Sequence, residues 1–476
     1  MLSTLASHPC TNRPSLPFPL RLSPPPFVPL SRHRLPLHSC HSCHSCHASP
    51  SSLPNSSASL SLSQSNSKPH PPPPPPTTLK IAIIGFGNFG QFLAKYFSQQ
   101  GHTILAHSRT DYSSIANSLD NTIFFKDPHD LCESHPDVVL LCTSILSAEK
   151  VLRSIPIQRL RRSTLFVDVL SVKEFPRSIF LERLPPDFDI VCTHPMFGPE
   201  SGKYGWNGLP FVYEKVRIGD SHERVSRCEA FFNIFKKEGC RMIDMSCKEH
   251  DEIAAESQFL THTVGRVLAE MRLKPNPDDS MGYDTLFQLI ENTCSDSFEL
   301  YYGLFMYNKN STDLLDRIYA AYEEVKKDLR RMVQGILRRR LFGTTGVGEL
   351  EDPAARCEAF LESFNKEMVD LDENATGVHF VALTIGMILA KLGLKPTSIA
   401  TKGYETLLKL VEDISSESFD LYIALFMHIK NSNELLDQLD ISLAKVRTEL
   451  YGRLHDILRR QLFDQPGIIS NGRTRM

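Results

Sequence analysis

The stretch Lys80-Ile-Ala-Ile-Ile-Gly85-Phe-Gly87-Asn88-Phe89-Gly90-Gln-Phe92 constrains the fold of this chain more than any other. An apolar run short enough for a buried strand leads into Gly-x-Gly-x-x-Gly, and apolar residues at helical spacing follow through Leu93, Ala94 and Phe97. Between a strand and a helix, glycines at this spacing have separate tasks. Gly85 permits a tight turn, Gly87 lets the backbone approach a pyrophosphate, and Gly90 lets helix and strand pack closely. The N–H groups and dipole at the helix start, where Asn88 and Phe89 stand, favour the anion. A dinucleotide cofactor site is the reading.

The next strand narrows the cofactor. Thr103-Ile104-Leu105-Ala106 is apolar and ends in His107-Ser108-Arg109-Thr110. An NAD site usually places Asp or Glu about 20 residues past the glycines, where it accepts from the ribose 2′-OH. Ser108, Arg109 and Thr110 occupy that zone here, and the first carboxylate is Asp111. A guanidinium flanked by two hydroxyls suits a 2′-phosphate, which it can bind bidentately. NADP is favoured over NAD.

Strand-like runs recur at 80–84, 103–106, 137–143, 164–170 and 188–193, separated by helical patterns. This alternation predicts a parallel, doubly wound sheet with ligands outside the strands' carboxyl ends. Three such ends carry notable residues. The third run ends in Thr143 and Ser144, where a nicotinamide would lie, the fourth at Ser171, and the fifth at His194. An imidazole there titrates near neutrality, which suits removing an alcohol proton as hydride leaves the same carbon. A structural His bonding a loop carbonyl fits the residue equally well on this ground alone.

The chain has 476 residues, room for two or three domains, but its first 78 stand apart. They contain no Asp or Glu, carry Arg13, Arg21, Arg32, Arg34 and Lys68, are rich in Ser and Pro, and end in the run Pro71 to Pro76. An acid-free, Ser-rich, Arg-bearing leader without an uninterrupted apolar core reads as an organelle transit peptide. Plastid import is the first reading and mitochondrial import the second. The His and Cys tract between His38 and His47 has no surrounding fold to fix a tetrahedral site, so no metal is assigned. The net charge is −3, or about −8 without the leader's five cations, and points to no nucleic-acid partner. Eight Cys outside the leader are scattered, as reduced core thiols would be. No apolar stretch reaches the roughly 20 residues that span a bilayer.

Five blocks carry a specific resemblance: the glycine loop 81–92, Leu141-Cys-Thr-Ser-Ile145, Phe166-Val-Asp-Val-Leu-Ser-Val-Lys173, Thr193-His-Pro-Met-Phe-Gly-Pro-Glu-Ser-Gly202, and Ser257-Gln-Phe-Leu-Thr-His-Thr-Val-Gly265. In this order they resemble the plant arogenate/prephenate dehydrogenases of the TyrA family, over residues 79 to 342. The resemblance implies an NADP-dependent oxidative decarboxylation of a small-molecule substrate. Arogenate would give tyrosine, or prephenate 4-hydroxyphenylpyruvate. It implies His194 as catalytic base, Ser171 as its hydrogen-bonding partner at the ring hydroxyl, and a helical domain that supplies homodimer contacts and part of the pocket. Asp296, which as an acid at a helix start also suits the dipole, is then the candidate for the arogenate ammonium; in the loop after His194, Ser201 is a further substrate contact, and Lys203 is either a substitute carboxylate partner or a solvated loop residue. Departures remain: no Arg among residues 285–305 matches the one bacterial relatives use for a carboxylate, and Tyr204 stands where smaller polar residues are usual. Another NADP-linked hydroxyacid dehydrogenase, or a non-catalytic binding paralogue, are the competing readings. The first would rely on a helical-domain Lys that does not fit the His194 loop, and the second is opposed by intact glycines, Ser171 and His194.

From residue 245 the pattern is helical and repeats. Gly282-Tyr-Asp-Thr-Leu-Phe-Gln-Leu289 recurs as Gly403-Tyr-Glu-Thr-Leu-Leu-Lys-Leu410, Ser297-Phe-Glu-Leu-Tyr301 as Ser418-Phe-Asp-Leu-Tyr422, and Ile336–Phe342 as Ile457–Phe463, all 121 residues apart. Arg227-Cys-Glu-Ala-Phe231 recurs as Arg356-Cys-Glu-Ala-Phe360 at an offset of 129. Apolar positions survive in the second copy, whereas Thr261-His262 becomes Ala382-Leu383 and Ser257-Gln258 becomes Val378-His379. That contrast marks Gln258 and His262 as ligand-facing. The predicted architecture is an α/β Rossmann-like dinucleotide-binding domain (79–222) followed by an all-α domain in two tandem copies, 223–345 and a degenerate 346–476.

Overall fold

The computed structural model describes residues 78–273, 283–294, 296–342, 353–367, 373–415 and 419–463; the leader, Gly282 and Ser418 lie outside the described residues. The strands are β1 (Lys80–Ile84), β2 (Thr103–His107), β3 (Thr122–Phe125), β4 (Val138–Leu141), β5 (Leu165–Asp168), β6 (Asp189–Pro195), β7 (Pro210–Arg217) and β8 (Arg241–Asp244). They join in one sheet of order β3-β2-β1-β4-β5-β6-β7-β8. The order reverses between β1 and β4, the switch point at which a doubly wound sheet opens a crevice. Five strands fall on the predicted apolar runs; β3, β7 and β8 were not anticipated.

The sheet is not wholly parallel. β7 runs antiparallel to β6, because residues 196–209 between them form a loop with no crossover helix, and a parallel return needs one. The sheet also extends beyond residue 222, where the sequence places the domain boundary, since β8 pairs with β7.

Central strands are apolar throughout because both faces are covered. Ile81 and Ile83 of β1, Val138 and Leu140 of β4, and Val191 of β6 share a core with α1 (Asn88–Gln99) and α6 (His222–Lys237). Their neighbours Ala82, Ile84, Val139, Leu141, Ile190 and Cys192 face the opposite way. There they pack on α3 (Pro128–Glu133), α4 (Ala148–Ser154) and α5 (Glu174–Arg183), and this core runs on into the helical region. A short helix α2 (Ser113–Ala116) completes the sheet domain. The period of two along β6 puts His194 on the same side as Ile190 and Cys192, toward the helices.

Past β8 the described elements are helices: α7 (Cys247–Ala254), a π-turn at Ala255–Phe259, α8 (Leu260–Met271), α9 (Tyr283–Cys294), α10 (Phe298–Tyr307) and α11 (Lys309–Phe342). A second series follows: α12 (Pro353–Glu367), α13 (Glu373–Leu392), α14 (Lys402–Ser415), α15 (Phe419–His428) and α16 (Ser432–Phe463). The repeat is structural as well as sequential. Thr263 Oγ1 bonds Phe259 O at 2.8 Å and lies 3.1 Å from Tyr301 Oη, and Thr384 Oγ1 bonds Phe380 O at 2.8 Å and Tyr422 Oη at 3.3 Å. Gly265 and Gly386 each let a neighbouring helix approach: a Cβ would meet Thr293 Oγ1 at 2.0 Å in one copy and Ile414 Cδ1 at 1.7 Å in the other. The matching pentapeptides behave differently. Arg227–Phe231 lies on α6 and buries Cys228 and Phe231 against the sheet, whereas Arg356–Phe360 lies on α12 and buries Cys357 among helices. An amphipathic turn accepts either apolar partner.

Candidate active site

The three glycines occupy three different environments. Gly85 has φ +105°, and a Cβ there would sit 2.3 Å from the carbonyl oxygen of Cys142; its N–H donates to His107 O at 2.9 Å. Gly90 is equally closed, since a Cβ would meet Gly85 O at 2.3 Å. Gly87 has no heavy atom within 4 Å of that position. It serves as the N-cap of α1 with no side chain capping the first turn. The turn and the close packing are thus both present, and the open side lies where a pyrophosphate would meet the amides of Asn88, Phe89 and Gly90. The contact with Cys142 also brings the end of β4 beside this turn. Just beyond it, Thr143 Oγ1 donates to Ser144 O at 3.2 Å and Ser144 Oγ to Ser147 Oγ at 3.0 Å.

At the end of β2, Ser108 is half-buried, and Arg109 and Thr110 are exposed. Arg109 makes no ion pair among the described residues. Asp111 is tied to Lys126 at 2.8 Å and accepts from Ser113 N at 2.9 Å, which holds its carboxyl far below the usual carboxylate range. The first carboxylate past the glycines is therefore already engaged.

His194 sits near the end of β6, 4% exposed. Its Nδ1 lies 2.9 Å from Nε2 of His250, and His250 Nδ1 lies 2.9 Å from Asp251 Oδ1. Asp251 also accepts from the backbone N–H of Lys173 at 2.7 Å and of Glu174 at 2.9 Å. A carboxylate receiving these bonds is an acceptor, so His250 donates its Nδ1–H to it. Nε2 of His250 then accepts from Nδ1–H of His194, and Nε2 of His194 is left with its lone pair. Burial pushes both imidazoles well below their ordinary pKa, as does the nearby Lys173 charge, and His250 adds to the effect at His194. Burial raises Asp251 to about 6, opposed by its backbone donors, so it is ionised at neutral pH. The arrangement is a neutral base with a fixed tautomer.

Beneath it lies a buried ion pair. Lys173 Nζ donates to Asp168 Oδ2 and to the carbonyl of Thr193, the residue before His194. Its own N–H holds Asp251. One side chain and its backbone thus tie the ends of β5 and β6 to the start of α7. Ser171, half-buried between them, makes no hydrogen bond to His194: the partner of that imidazole is His250. His250, Asp251 and Lys173 were missed in the sequence. The repeat held a signal for one of them, since residue 371, in register with His250, is Leu.

In the helical part, Gln258 lies in the π-turn and His262 one turn later on the same face. Copy two has no such interruption, α13 being regular α-helix through the equivalent residues. π-turns are frequent at functional sites. Gln258 Oε1 and His262 Nδ1 are buried and have no partner among the described residues. His262 Nε2 lies 3.6 Å from Asp296 Oδ2, so two of the predicted substrate residues meet. Burial lowers His262 to about 4, helped by Arg266, and raises Asp296. Buried polar atoms are ordinarily hydrogen-bonded, so these two are exceptions.

Ser201 and Lys203 have their polar partners within their own loop. Their loop is anchored on α1, where Phe197 and Trp206 pack with Phe92 and Tyr96, and Tyr96 Oη donates to Gly202 O at 3.3 Å. Ser201 Oγ accepts from Gly198 N at 2.9 Å within the loop, and Lys203 is a surface residue paired with Glu200 at 3.2 Å.

Residues 80–171 match the family described as NADP oxidoreductase coenzyme F420-dependent. Residues 267–341 and 388–462 each match the family described as TYRAAT1-like, C-terminal domain, with the same offset as the sequence repeat. Arogenate dehydrogenase 2, chloroplastic, of Arabidopsis thaliana is 60% identical over 277 residues, covering 58% of this chain and 76% of the relative. Arogenate dehydrogenase 1, chloroplastic, of the same plant is 37% identical over 568 aligned residues, covering 79% of this chain and 89% of the relative. The solved Synechocystis arogenate dehydrogenase aligns with 61% of this chain and 100% of its own, at 16% identity and TM-score 0.39. Both plant relatives are chloroplastic, the compartment that the leader's composition predicts for this chain. The chain is an oxidoreductase of the plant arogenate/prephenate dehydrogenase family.

Proposed function

We propose that the chain oxidises and decarboxylates arogenate to tyrosine, with NADP as hydride acceptor, in the plastid. The observation that carries this reading is the chain of hydrogen bonds from Asp251 through His250 to His194, which leaves His194 Nε2 free to accept a proton. NADP, held by the Gly85–Gly90 turn, would supply the acceptor for the hydride of the carbinol carbon. His194 Nε2 takes the hydroxyl proton of the same carbon. The ketone so formed is vinylogous to the ring carboxylate, which leaves as CO₂ while its bonding electrons aromatise the ring. That electron pair reduces the ketone oxygen to a phenolate, and the imidazolium, stabilised through His250 by Asp251, returns its proton to this oxygen. Ser171 is assigned to the substrate hydroxyl rather than to orienting the imidazole.

The preference for NADP is supported by Arg109, which is exposed and unpaired among the described residues, and by the engagement of Asp111 with Lys126. A free 2′-OH would find no open carboxylate there, whereas a 2′-phosphate would find a guanidinium with Ser108 and Thr110 beside it. Gln258 and His262 are assigned to substrate carboxylate or hydroxyl groups, and Asp296 to the ammonium of arogenate. Prephenate carries a ketone at that position and is the slower substrate in this reading.

Following NADPH absorbance with arogenate and prephenate in parallel, each with NADP and NAD, tests all of this. Turnover of arogenate with NADP is the expected result. A protein that binds NADP yet reduces it with neither substrate would be a binding paralogue and not the enzyme proposed.

A further inference from the structure

The two helical copies meet face to face. α8 packs on α16, and its counterpart α13 packs on α11; α10 touches α16 as α15 touches α11; and α9 meets its own equivalent, α14. A set of contacts that maps onto itself when the copies are exchanged defines an isologous, two-fold interface. Two chains ordinarily form such an interface, but here one chain supplies both halves. Its centre is apolar in both: Val264, Val267 and Leu268 of α8, and the equivalent Ile385, Ile388 and Leu389 of α13, are all buried.

At two positions the rim has lost its symmetry in charge, whereas Lys326, paired with Asp440, and its equivalent Arg447, paired with Asp316, are basic in both copies. Glu270 at the end of α8 is ion-paired with Lys445 of α16. The exchanged pair is Lys391 at the end of α13 with Glu324 of α11 at 3.2 Å, and Asp328 lies 3.0 Å from the same ammonium. The repeat offset of 121 carries Glu270 onto Lys391 and Glu324 onto Lys445. Copy one is thus acidic at both positions and copy two basic at both. Two copy-one faces in this geometry would set Glu270 against Glu324 and Asp328, twice over. Two copy-two faces would set Lys391 against Lys445, with Glu449 in the place of Asp328. Only the mixed pair brings opposite charges together in both places. These side chains are partly exposed, from 32% for Lys391 to 66% for Glu324, so each pair adds little stability. Their consequence is choice of partner, because like charges in register reject the wrong one.

We infer that the helical face of copy one is built to accept copy two and to refuse a second copy of itself, so that a single chain contains its own dimer. The homodimer implied by the resemblance then has its counterpart within one polypeptide, and the chain works as a monomer with one dinucleotide domain per two-fold unit. The degenerate copy is retained as the partner, which explains why its apolar helix positions persist while its polar site residues are gone.

The test uses the full chain in three forms: wild type, the double variant Lys391→Glu/Lys445→Glu, and the quadruple variant that adds Glu270→Lys/Glu324→Lys. Light scattering on a sizing column gives the mass, and thermal midpoints are read at low and high salt. The wild type is expected at the mass of one chain. The double variant, acidic on both sides, should melt about 3–8 °C lower at low salt, with the loss shrinking at high salt. The quadruple variant, with signs exchanged, should recover most of that loss. A wild type with the mass of two chains, or a quadruple variant no more stable than the double, would overturn the inference.

Discussion

The hydrogen bond of 2.9 Å between His194 Nδ1 and His250 Nε2 decides which nitrogen of His194 is free to react. It is long-range in sequence, joining the end of β6 to α7, and it is completed by Asp251. Replacing His194 by Asn should lower kcat by about 10² to 10⁴ while NADP binding, read by calorimetry, stays near wild type. Replacing His250 by Leu leaves the base in place but releases its tautomer. That variant should lose about 10- to 100-fold in kcat with little change in KM. Unchanged kcat in the His250 variant would remove the relay from the mechanism.

The pH profile follows from the same burial. His194 is held well below its ordinary pKa of 6.5, so its base form is complete above that pH. kcat/KM should therefore be level at neutral and higher pH and fall toward acid, first as Asp251, raised by burial to about 6, takes a proton and then as the imidazole does. An acid limb centred above pH 7 would contradict the assignment of His194 as a buried neutral base.

His262 offers a separation of stability from function. Its equivalent in copy two is the buried Leu383, and its own Nδ1 is an unpartnered buried atom. His262→Leu should hold the thermal midpoint or raise it by about 2 °C, since a desolvated polar group is removed. The KM for arogenate should rise about tenfold or more, equivalent to about 1.4 kcal/mol of lost binding.

For the cofactor, Arg109→Ala should raise the KM for NADP at least about tenfold and leave that for NAD nearly unchanged. Adding Ser108→Asp should supply the missing acceptor and shift preference toward NAD. A wild type that uses NAD as readily as NADP would show that Arg109 does not choose between them.

The glycines predict opposite outcomes for the same substitution. Gly90→Ala places a methyl 2.3 Å from a backbone oxygen, which should cost about 1–3 kcal/mol as overpacking. Gly87→Ala meets nothing within 4 Å, so the midpoint should move by less than about 1 °C. Its penalty should show instead as roughly tenfold weaker NADP binding, where the methyl blocks the approach of the pyrophosphate.

Much of this was legible along the chain. The apolar run 80–84, the glycine spacing and the repeat offset are local patterns, and local patterns dictate strand, turn and helix without reference to the rest of the molecule. β3, β7 and β8 escaped because they lie toward the less buried edges of the sheet, where polar residues interrupt the apolar run. The anchoring of the loop with Ser201 and Lys203 on α1 through Phe197 and Trp206 was not legible, because it depends on aromatic residues about 100 positions apart.

The sequence by itself determined the dinucleotide crevice, the position of His194 at a strand's carboxyl end, and the presence of a duplicated helical unit. Strand-helix alternation and short-range glycine geometry need no distant partner. Only the tertiary structure decided what His194 bonds to, because His250 and Asp251 lie 56 and 57 residues away and reach it through the packing of α7 beside α5 and β7. It likewise decided what covers the second copy. Apolar helix faces declare that they will be buried, but not against what. The choice between a neighbour in the same chain and another molecule was made by the geometry that sets Glu270 beside Lys445 and Lys391 beside Glu324.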